Sequence, residues 1–196
     1  MREAFFPHDD VRVAVDPAVP ADEPALREIV ARCAPGEAEL LALWWRHHPG
    51  AWVVARDGGE PVGFGICLDT AETDPRIVAA DPVASAIADD LRARPLEPGG
   101  RTLTVRHQLS VGSGGPSAAD GALIVDYKRH YLRLRPHLRR TYTTVEDPRR
   151  WLPLLAPLGF RPLREIALPG ATLTLAVLEF GEGSVDGWLA RLVETE

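Results

Sequence analysis

Residues 52–68 read WVVARDGGEPVGFGICL and contain the clearest local signal in the chain. A β-rich run, Trp52 to Arg56, leads into an Asp57-Gly58-Gly59-Glu60 turn, and a second β-rich run, Pro61 to Leu68, follows it. Glycine reaches positive φ at little steric cost, so an Asp-Gly turn between two such runs is typical of a tight hairpin. The segment therefore predicts two antiparallel strands, and we expect the later strand Arg101–Val111 to lie centrally beside them.

The segments before this hairpin predict one strand and two helices. Residues 11–15 alternate between apolar and other side chains, which is the pattern of a short strand. Apolar residues then recur at helical spacing from Leu26 to Cys33, until Pro35-Gly36 ends the helix. A second helix begins near Glu37 and stops at Pro49-Gly50.

The segments after the hairpin begin with a helix near residues 82–93 and a long strand, Arg101 to Val111, whose side chains alternate strictly. A glycine-rich break follows, and Ser117 with Asp120 forms a capping pattern at the start of a long helix that runs to about Arg135. The remaining patterns predict a strand at residues 140–145, a short helix, two strands and a helix near 184–194.

Composition places the chain among ordinary globular proteins, with 45% hydrophobic and 26% charged residues in 196. We expect one domain over residues 1–196, no membrane span and a cytoplasmic location, because no apolar run approaches about 20 residues. In that compartment Cys33 and Cys67 are expected to be reduced and mostly buried, although two thiols could in principle form one bridge.

Charge is unevenly distributed along the chain. The net charge is −6, yet residues 128–164 contain ten basic and two acidic residues. This asymmetry indicates either an anion-binding face or an ordinary solvated helix face with its neighbours. The overall acidity argues against a dedicated nucleic-acid binder.

The order of these elements resembles that of the GNAT (GCN5-related N-acetyltransferase) superfamily over roughly residues 11–180. Two local stretches add to the resemblance. Pro61-Val62-Gly63-Phe64 begins the second arm of the hairpin as in that family, and residues 154–160, LLAPLGF, are similar to its Leu-Tyr-x-x-Leu-Gly-Phe ending. The resemblance implies an α/β (α+β) fold, in which a mixed, largely antiparallel twisted sheet is flanked by helices.

The resemblance also implies a phosphate site after the long strand, where backbone N–H groups at a helix start hold the pyrophosphate of coenzyme A. The matching residues here are Ser110, Val111, Gly112, Ser113, Gly114, Gly115 and Ser117. The family signature Arg/Gln-x-x-Gly-x-Gly/Ala is degenerate, because Pro116 lacks an N–H and the carboxylate of Asp120 would repel phosphate. A backbone nest over 112–115 could hold an anion, and a plain strand-to-helix loop is the alternative.

The catalytic candidates follow from the same resemblance. The tyrosine that the family commonly uses as general acid matches Leu155, which has no proton to donate. The general base could be His107 on the long strand, Glu146 after the next strand, or Glu60 in the hairpin turn. Each has a structural alternative: His107 as a core residue, Glu146 as a helix-start charge, and Glu60 as a solvated turn residue. No histidine spacing typical of a metal site is present.

The implied activity is acyl-CoA-dependent N-acyl transfer, with acetyl-CoA or another acyl-CoA as cosubstrate, no metal, and a small-molecule or protein amine as acceptor. Trp44 to His48 could line the acceptor pocket or simply pack two indoles at a helix end. The degenerate signature and Leu155 predict weak activity. They keep open a non-catalytic binding or regulatory module, acting as a homodimer or beside a partner protein. Another acyl-CoA chemistry, such as decarboxylation, is a third hypothesis that no residue selects.

Overall fold

The computed structural model describes residues 13–111 and 117–194, which contain seven strands and seven helices. The strands are β1 (Val13–Pro17), β2 (Trp52–Asp57), β3 (Glu60–Asp69), β4 (Arg101–Ser110), β5 (Leu138–Val145), β6 (Phe160–Leu168) and β7 (Ala171–Glu179). The helices are α1 (Glu23–Cys33), α2 (Ala38–His47), α3 (Pro75–Ala80), α4 (Pro82–Ala93), α5 (Ala118–Leu134), α6 (Pro148–Leu155) and α7 (Ser184–Glu194). Within these ranges no helix has the length and apolar character that crossing a bilayer requires.

The strands form one mixed sheet in the order β1-β2-β3-β4-β5-β7-β6. β1 with β2, β2 with β3, β5 with β7, and β6 with β7 pair antiparallel, whereas β4 and β5 pair parallel. The predicted α/β fold with a largely antiparallel sheet is therefore confirmed, and β4 is the fourth of seven strands, beside the hairpin strand β3, as expected.

The hairpin of β2 and β3 closes as predicted. Gly58 and Gly59 have φ values of 58° and 95°, which place both in the left-handed region that glycine enters without strain. Asp57 pairs with Glu60, and further along the arms Val54 pairs with Phe64. The turn chemistry thus closes the hairpin, and an irregularity between Ala55 and Arg56 shifts the register by one residue before the arms continue into the sheet.

The described chain divides into two compact units, and each has its own core. The first unit contains residues up to Cys67 and from His107 to Lys128. Its buried apolar side chains come from α1, α2, the hairpin and α5: Leu26, Ile29, Val30, Leu41, Trp44, Trp52, Val54, Phe64, Ile66 and Leu123. The prediction of a single domain over residues 1–196 stays a prediction.

The second unit contains residues 68–106 and 129–194 of the described chain. Its core packs α4 against β5, β6 and β7, through Val83, Ala86, Ile87, Tyr142, Ile166, Leu168, Leu173, Leu175 and Val177. The helices α4 and α7 have the bounds that the sequence indicated. The sequence gives no periodic signal for α3, because six residues are too few to display helical periodicity. Asp74-Pro75 begins α3 with the same cap-and-proline pattern that begins α4 at Asp81-Pro82.

The two cysteines differ from each other. Both are free thiols; Cys67 is buried as expected, but Cys33 is exposed. The expectation of burial was wrong for Cys33 because it is the last residue of α1, where its Sγ lies 3.7 Å from the backbone oxygen of Ser110.

Candidate functional site

The candidate site lies in the first unit, where the end of β4 brings His107 against Glu37. The Nε2 atom of His107 is 3.0 Å from Oε2 of Glu37, and the two residues are only 7% and 4% exposed. When the imidazole is neutral and Nε2 carries its proton, Nε2 donates to the carboxylate and Nδ1 carries the ring lone pair. A histidine oriented in this way can take up a proton while the adjacent carboxylate stabilises the charged form.

The position of Glu37 follows from the connection between α1 and α2. Pro35 begins a short 3₁₀ turn, Pro35–Glu37, and Glu37 is the residue that precedes the first turn of α2. The sequence pattern predicted a helix start near Glu37 but gave no indication that its carboxylate contacts His107. Glutamate at a helix start is commonly a favourable charge near the dipole, so no local signal distinguishes it from a partner for a distant histidine.

The backbone of His107 contacts Tyr127 of α5. The Tyr127 hydroxyl donates to the carbonyl oxygen of His107 at 3.4 Å, and burial raises the pKa of this phenol well above its ordinary value. A Cβ at Gly65 would come within 2.2 Å of the same hydroxyl, so only glycine at this position lets the ring approach β3. Tyr127 therefore packs in the core.

The start of α5 is closed by a capping box between Ser117 and Asp120. The Ser117 backbone N–H donates to Asp120 Oδ2 at 2.8 Å, and the Asp120 N–H donates to Ser117 Oγ at 3.1 Å. The same carboxylate accepts the hydroxyl of Ser110 at 2.9 Å and the amide of Gln108 at 3.2 Å. Asp120 thus joins the end of β4 to the first turn of α5, beyond the capping role that the sequence predicted for it.

This network bears on the predicted coenzyme A site. Among its described members, Val111 donates its N–H to the Val62 carbonyl at 2.8 Å, and the donors of Ser110 and Ser117 contact Asp120. The hydrogen-bond donors named here are therefore already bonded to groups of the protein itself. The other predicted members, Gly112, Ser113, Gly114 and Gly115, lie outside the described residues, and the phosphate site stays a prediction.

The other catalytic candidates lie elsewhere. Glu146 is exposed in the second unit, between the end of β5 and the start of α6, and Glu60 is exposed in the hairpin turn. Leu155 is the half-buried last residue of α6. Among the three proposed bases, His107 has the buried carboxylate partner.

The second unit contains a different buried pair. Arg106 Nε lies 2.6 Å from Asp81 Oδ2, and both side chains are fully buried. Asp81 also accepts the N–H of Val83 at 2.9 Å and so caps α4. Arginine stays charged at every accessible pH, and this pair therefore joins β4 to α4 without offering acid–base chemistry.

Part of the basic stretch over 128–164 is compensated by acids of the second unit. Four of its arginines form ion pairs with acids outside the stretch: Arg135 with Asp186, Arg140 and Arg161 with Glu179, and Arg164 with Asp89. These contacts favour the solvated-face interpretation over an anion-binding face. In the described ranges, no three histidine, cysteine, aspartate or glutamate side chains cluster so as to hold a metal ion.

Comparison by sequence finds no match: no family model matches the chain, and no curated protein does. Comparison of the fold finds many matches among solved structures. One is FeeM, an N-acyl amino acid synthase from uncultured soil microbes, with a TM-score of 0.63 and 12% identity over 89% of this chain and 94% of that one.

Two further matches are named as acetyltransferases or contain coenzyme A. A Drosophila melanogaster polyamine N-acetyltransferase has a TM-score of 0.57 and 14% identity over 85% of this chain and 99% of that one. A chain of the NatC complex bound to Gag peptide and CoA has a TM-score of 0.54 and 13% identity over 85% and 98%. This protein therefore has the fold of the GNAT acetyltransferases, as the order of its elements indicated.

Proposed function

We propose that this protein transfers an acyl group from an acyl-CoA to an amine acceptor, with His107 as the general base. The observation that carries the proposal is the buried His107–Glu37 pair, with its 3.0 Å contact at the end of β4. Support also comes from the fold, because structures that share it are described as N-acyl or N-acetyl transfer enzymes. Fold alone does not establish activity, so the proposal rests on the chemistry of the pair.

In the proposed reaction the amine nitrogen attacks the thioester carbonyl carbon, and the proton that the nitrogen loses passes to Nδ1 of His107. Glu37 holds the ring through its contact with Nε2 and stabilises the imidazolium that forms. The C–S bond then breaks and the coenzyme A thiolate leaves. Leu155 has no proton to give, so the thiolate takes its proton from solvent, and we expect slow turnover.

The test is thiol release from acetyl-CoA in the presence of an arylalkylamine, a polyamine or an amino acid. His107→Gln removes the base and is expected to lower kcat by about 10²–10⁴. Glu37→Gln keeps a hydrogen-bonding side chain but loses the charge, and it is expected to lower kcat less and to change its pH profile. Glu146→Gln and Glu60→Gln change exposed carboxylates and serve as matched controls.

The outcome can go against the proposal in two ways. If Glu146→Gln abolishes thiol release while His107→Gln is neutral, the base is assigned to the wrong residue. The second contrary outcome is that thiol release with every amine, and with longer acyl-CoA donors, equals the release measured in buffer without protein. The protein would then not be a transferase for these acceptor classes.

A second candidate is a non-catalytic GNAT-like binding module. It is favoured by the hydrogen bonds that already occupy donors at the start of α5. The Ser117 N–H and the Ser110 hydroxyl, which a phosphate would need, already donate to Asp120. The carboxylate also adds a negative charge beside any bound phosphate, which disfavours binding.

Calorimetry with acetyl-CoA separates the two candidates. Asp120→Asn keeps the size of the side chain and part of its hydrogen bonding but removes the charge. If coenzyme A uses this helix start, the variant is expected to bind acetyl-CoA about tenfold more tightly, since one opposed charge contact is worth about 1.5 kcal/mol. Binding by neither form supports the module, and weaker binding by the variant shows that the phosphates lie elsewhere.

A further inference from the structure

The side-chain amines of this protein reduce to one residue. The chain contains 22 lysine and arginine residues, and Lys128 is the only lysine among them. Arginine keeps its proton at every accessible pH, whereas a lysine amine can lose its proton and then carries a nucleophilic lone pair. Covalent chemistry that requires a lysine amine therefore has a single possible position in this sequence.

Lys128 lies in α5 of the first unit, and its side chain is half-buried. Ile124 and Val125 precede it by four and three residues, so the three side chains share one side of the helix. Side chains of a helix lean toward its N-terminus, which brings the stem of Lys128 over the turn that carries these two apolar residues. Ile124 is half-buried and Val125 is 49% exposed. The amine is therefore bordered by apolar side chains at a position that solvent still reaches.

These surroundings change the protonation of the amine. Burial lowers the pKa of Lys128 from 10.5 to about 8, because a charged ammonium is poorly hydrated beside apolar groups. At pH 7 about a tenth of the molecules then carry the neutral amine, compared with less than about a thousandth for an exposed lysine. The residue combines access from solvent with a sizeable population of the reactive form.

We infer that Lys128 is a covalent acylation site, whose side-chain nitrogen accepts an acyl group from an acyl thioester such as an acyl-CoA. The neutral amine attacks the thioester carbonyl carbon, a C–N bond forms and the C–S bond breaks. The proton that the nitrogen loses ends on the departing thiolate, so that one amine and one thioester give one amide and one thiol. The inference does not rest on the proposed transfer to free amine acceptors, because the thioester reacts with Lys128 directly.

The experiment sets two lysines of one molecule in competition for the same reagent. Arg129→Lys introduces a second lysine at the adjacent, exposed position and keeps the net charge. The full-length variant is incubated with acetyl-CoA at neutral pH, and fragmentation mass spectrometry measures acetylation at each position. We expect about tenfold more acetyl on Lys128 than on the lysine introduced at position 129. The larger neutral fraction favours Lys128, although a less basic amine is intrinsically a weaker nucleophile.

Two controls separate the effect of the folded surroundings from that of the local sequence. In urea both amines are exposed, and the ratio is expected to fall to about one. Lys128→Arg keeps the charge and removes the amine, so it is expected to show no acetylated side chain. Equal acetylation of the two positions in the folded variant, a preference for position 129, a preference for Lys128 that persists in urea, or no acetylation of Lys128 would each overturn the inference.

Discussion

Two buried pairs begin from neighbouring residues of β4 and differ in what they can do. Arg106 meets Asp81 in the second unit at 2.6 Å, and His107 meets Glu37 in the first at 3.0 Å. Each acid precedes the first turn of a helix, α4 or α2. Arginine cannot lose its proton under ordinary conditions, whereas the ordinary pKa of histidine, about 6.5, lies close to neutrality. Burial and ion pairing alone therefore do not identify a site of acid–base chemistry. One member of the pair must also be able to exchange a proton near neutral pH.

The largest expected effect comes from breaking the Arg106 pair. Arg106→Met leaves the fully buried Asp81 without its cation, and we expect a loss of about 3–5 kcal/mol in the free energy of unfolding, measured with urea. The matched control is Arg92→Met, which removes an exposed pair with Asp89. That change is expected to cost less than about 1 kcal/mol. Similar losses for both variants would mean that the buried pair is no more important than a surface one.

The His107–Glu37 pair is expected to show a smaller effect, because an isolated buried carboxyl or imidazole can become neutral. His107→Leu, Glu37→Leu and the double variant form a cycle, with unfolding measured near neutral pH. We expect a coupling of about 1–3 kcal/mol, with the double variant more stable than the sum of the single losses implies. Additive losses would show that the contact contributes no interaction energy.

A third cation, Lys128 in α5, extends the comparison because burial is the main influence on its pKa. Burial lowers its pKa from 10.5 to about 8. Between these values the unfolded chain binds the proton and the folded chain does not, so stability rises with pH across that window. Because the residue is only partly buried, we expect a rise of about 1–3 kcal/mol.

Two substitutions of Lys128 test the sign of this effect through unfolding curves measured from neutral pH to about pH 10. Lys128→Met is expected to be more stable near neutral pH and to lose the pH dependence. Lys128→Arg carries a permanent charge, so it is also expected to lose the pH dependence but without the gain in stability. A rise with pH that persists in both variants would assign it to other groups.

Local sequence patterns predicted most of the fold. The Asp57-Gly58 turn, the alternation of β4 and the Ser117–Asp120 cap each involve residues within a few positions of one another, and all three are present. Pro82 and Ser184 likewise begin the helices that the sequence indicated. Such features depend on backbone geometry and local hydrogen bonds, which a sequence displays directly.

The candidate site was less predictable, since its partners are far apart in the chain. Glu37 and His107 are 70 residues apart, and Asp81 and Arg106 are 25 apart. Thr104 and Arg106 stand on the polar side of the alternation of β4, yet both are buried, and the Thr104 hydroxyl lies 2.9 Å from the hydroxyl of Thr70. Helices cover this face, and which residues they bring to β4 depends on tertiary packing that no local pattern encodes.

The spacing of polar partners along β4 has a consequence for how the chain chooses one folded state. Successive residues of a strand point to opposite sides, so a slip of one position would turn Arg106 away from Asp81 and His107 away from Glu37. Gln108 and Ser110 would at the same time lose the Asp120 carboxylate that both contact. An all-apolar strand would tolerate such a slip at little cost, because one leucine can replace another. The polar residues of β4 thus specify its register in the sheet. They disfavour misaligned sheets even where the apolar packing alone would tolerate them.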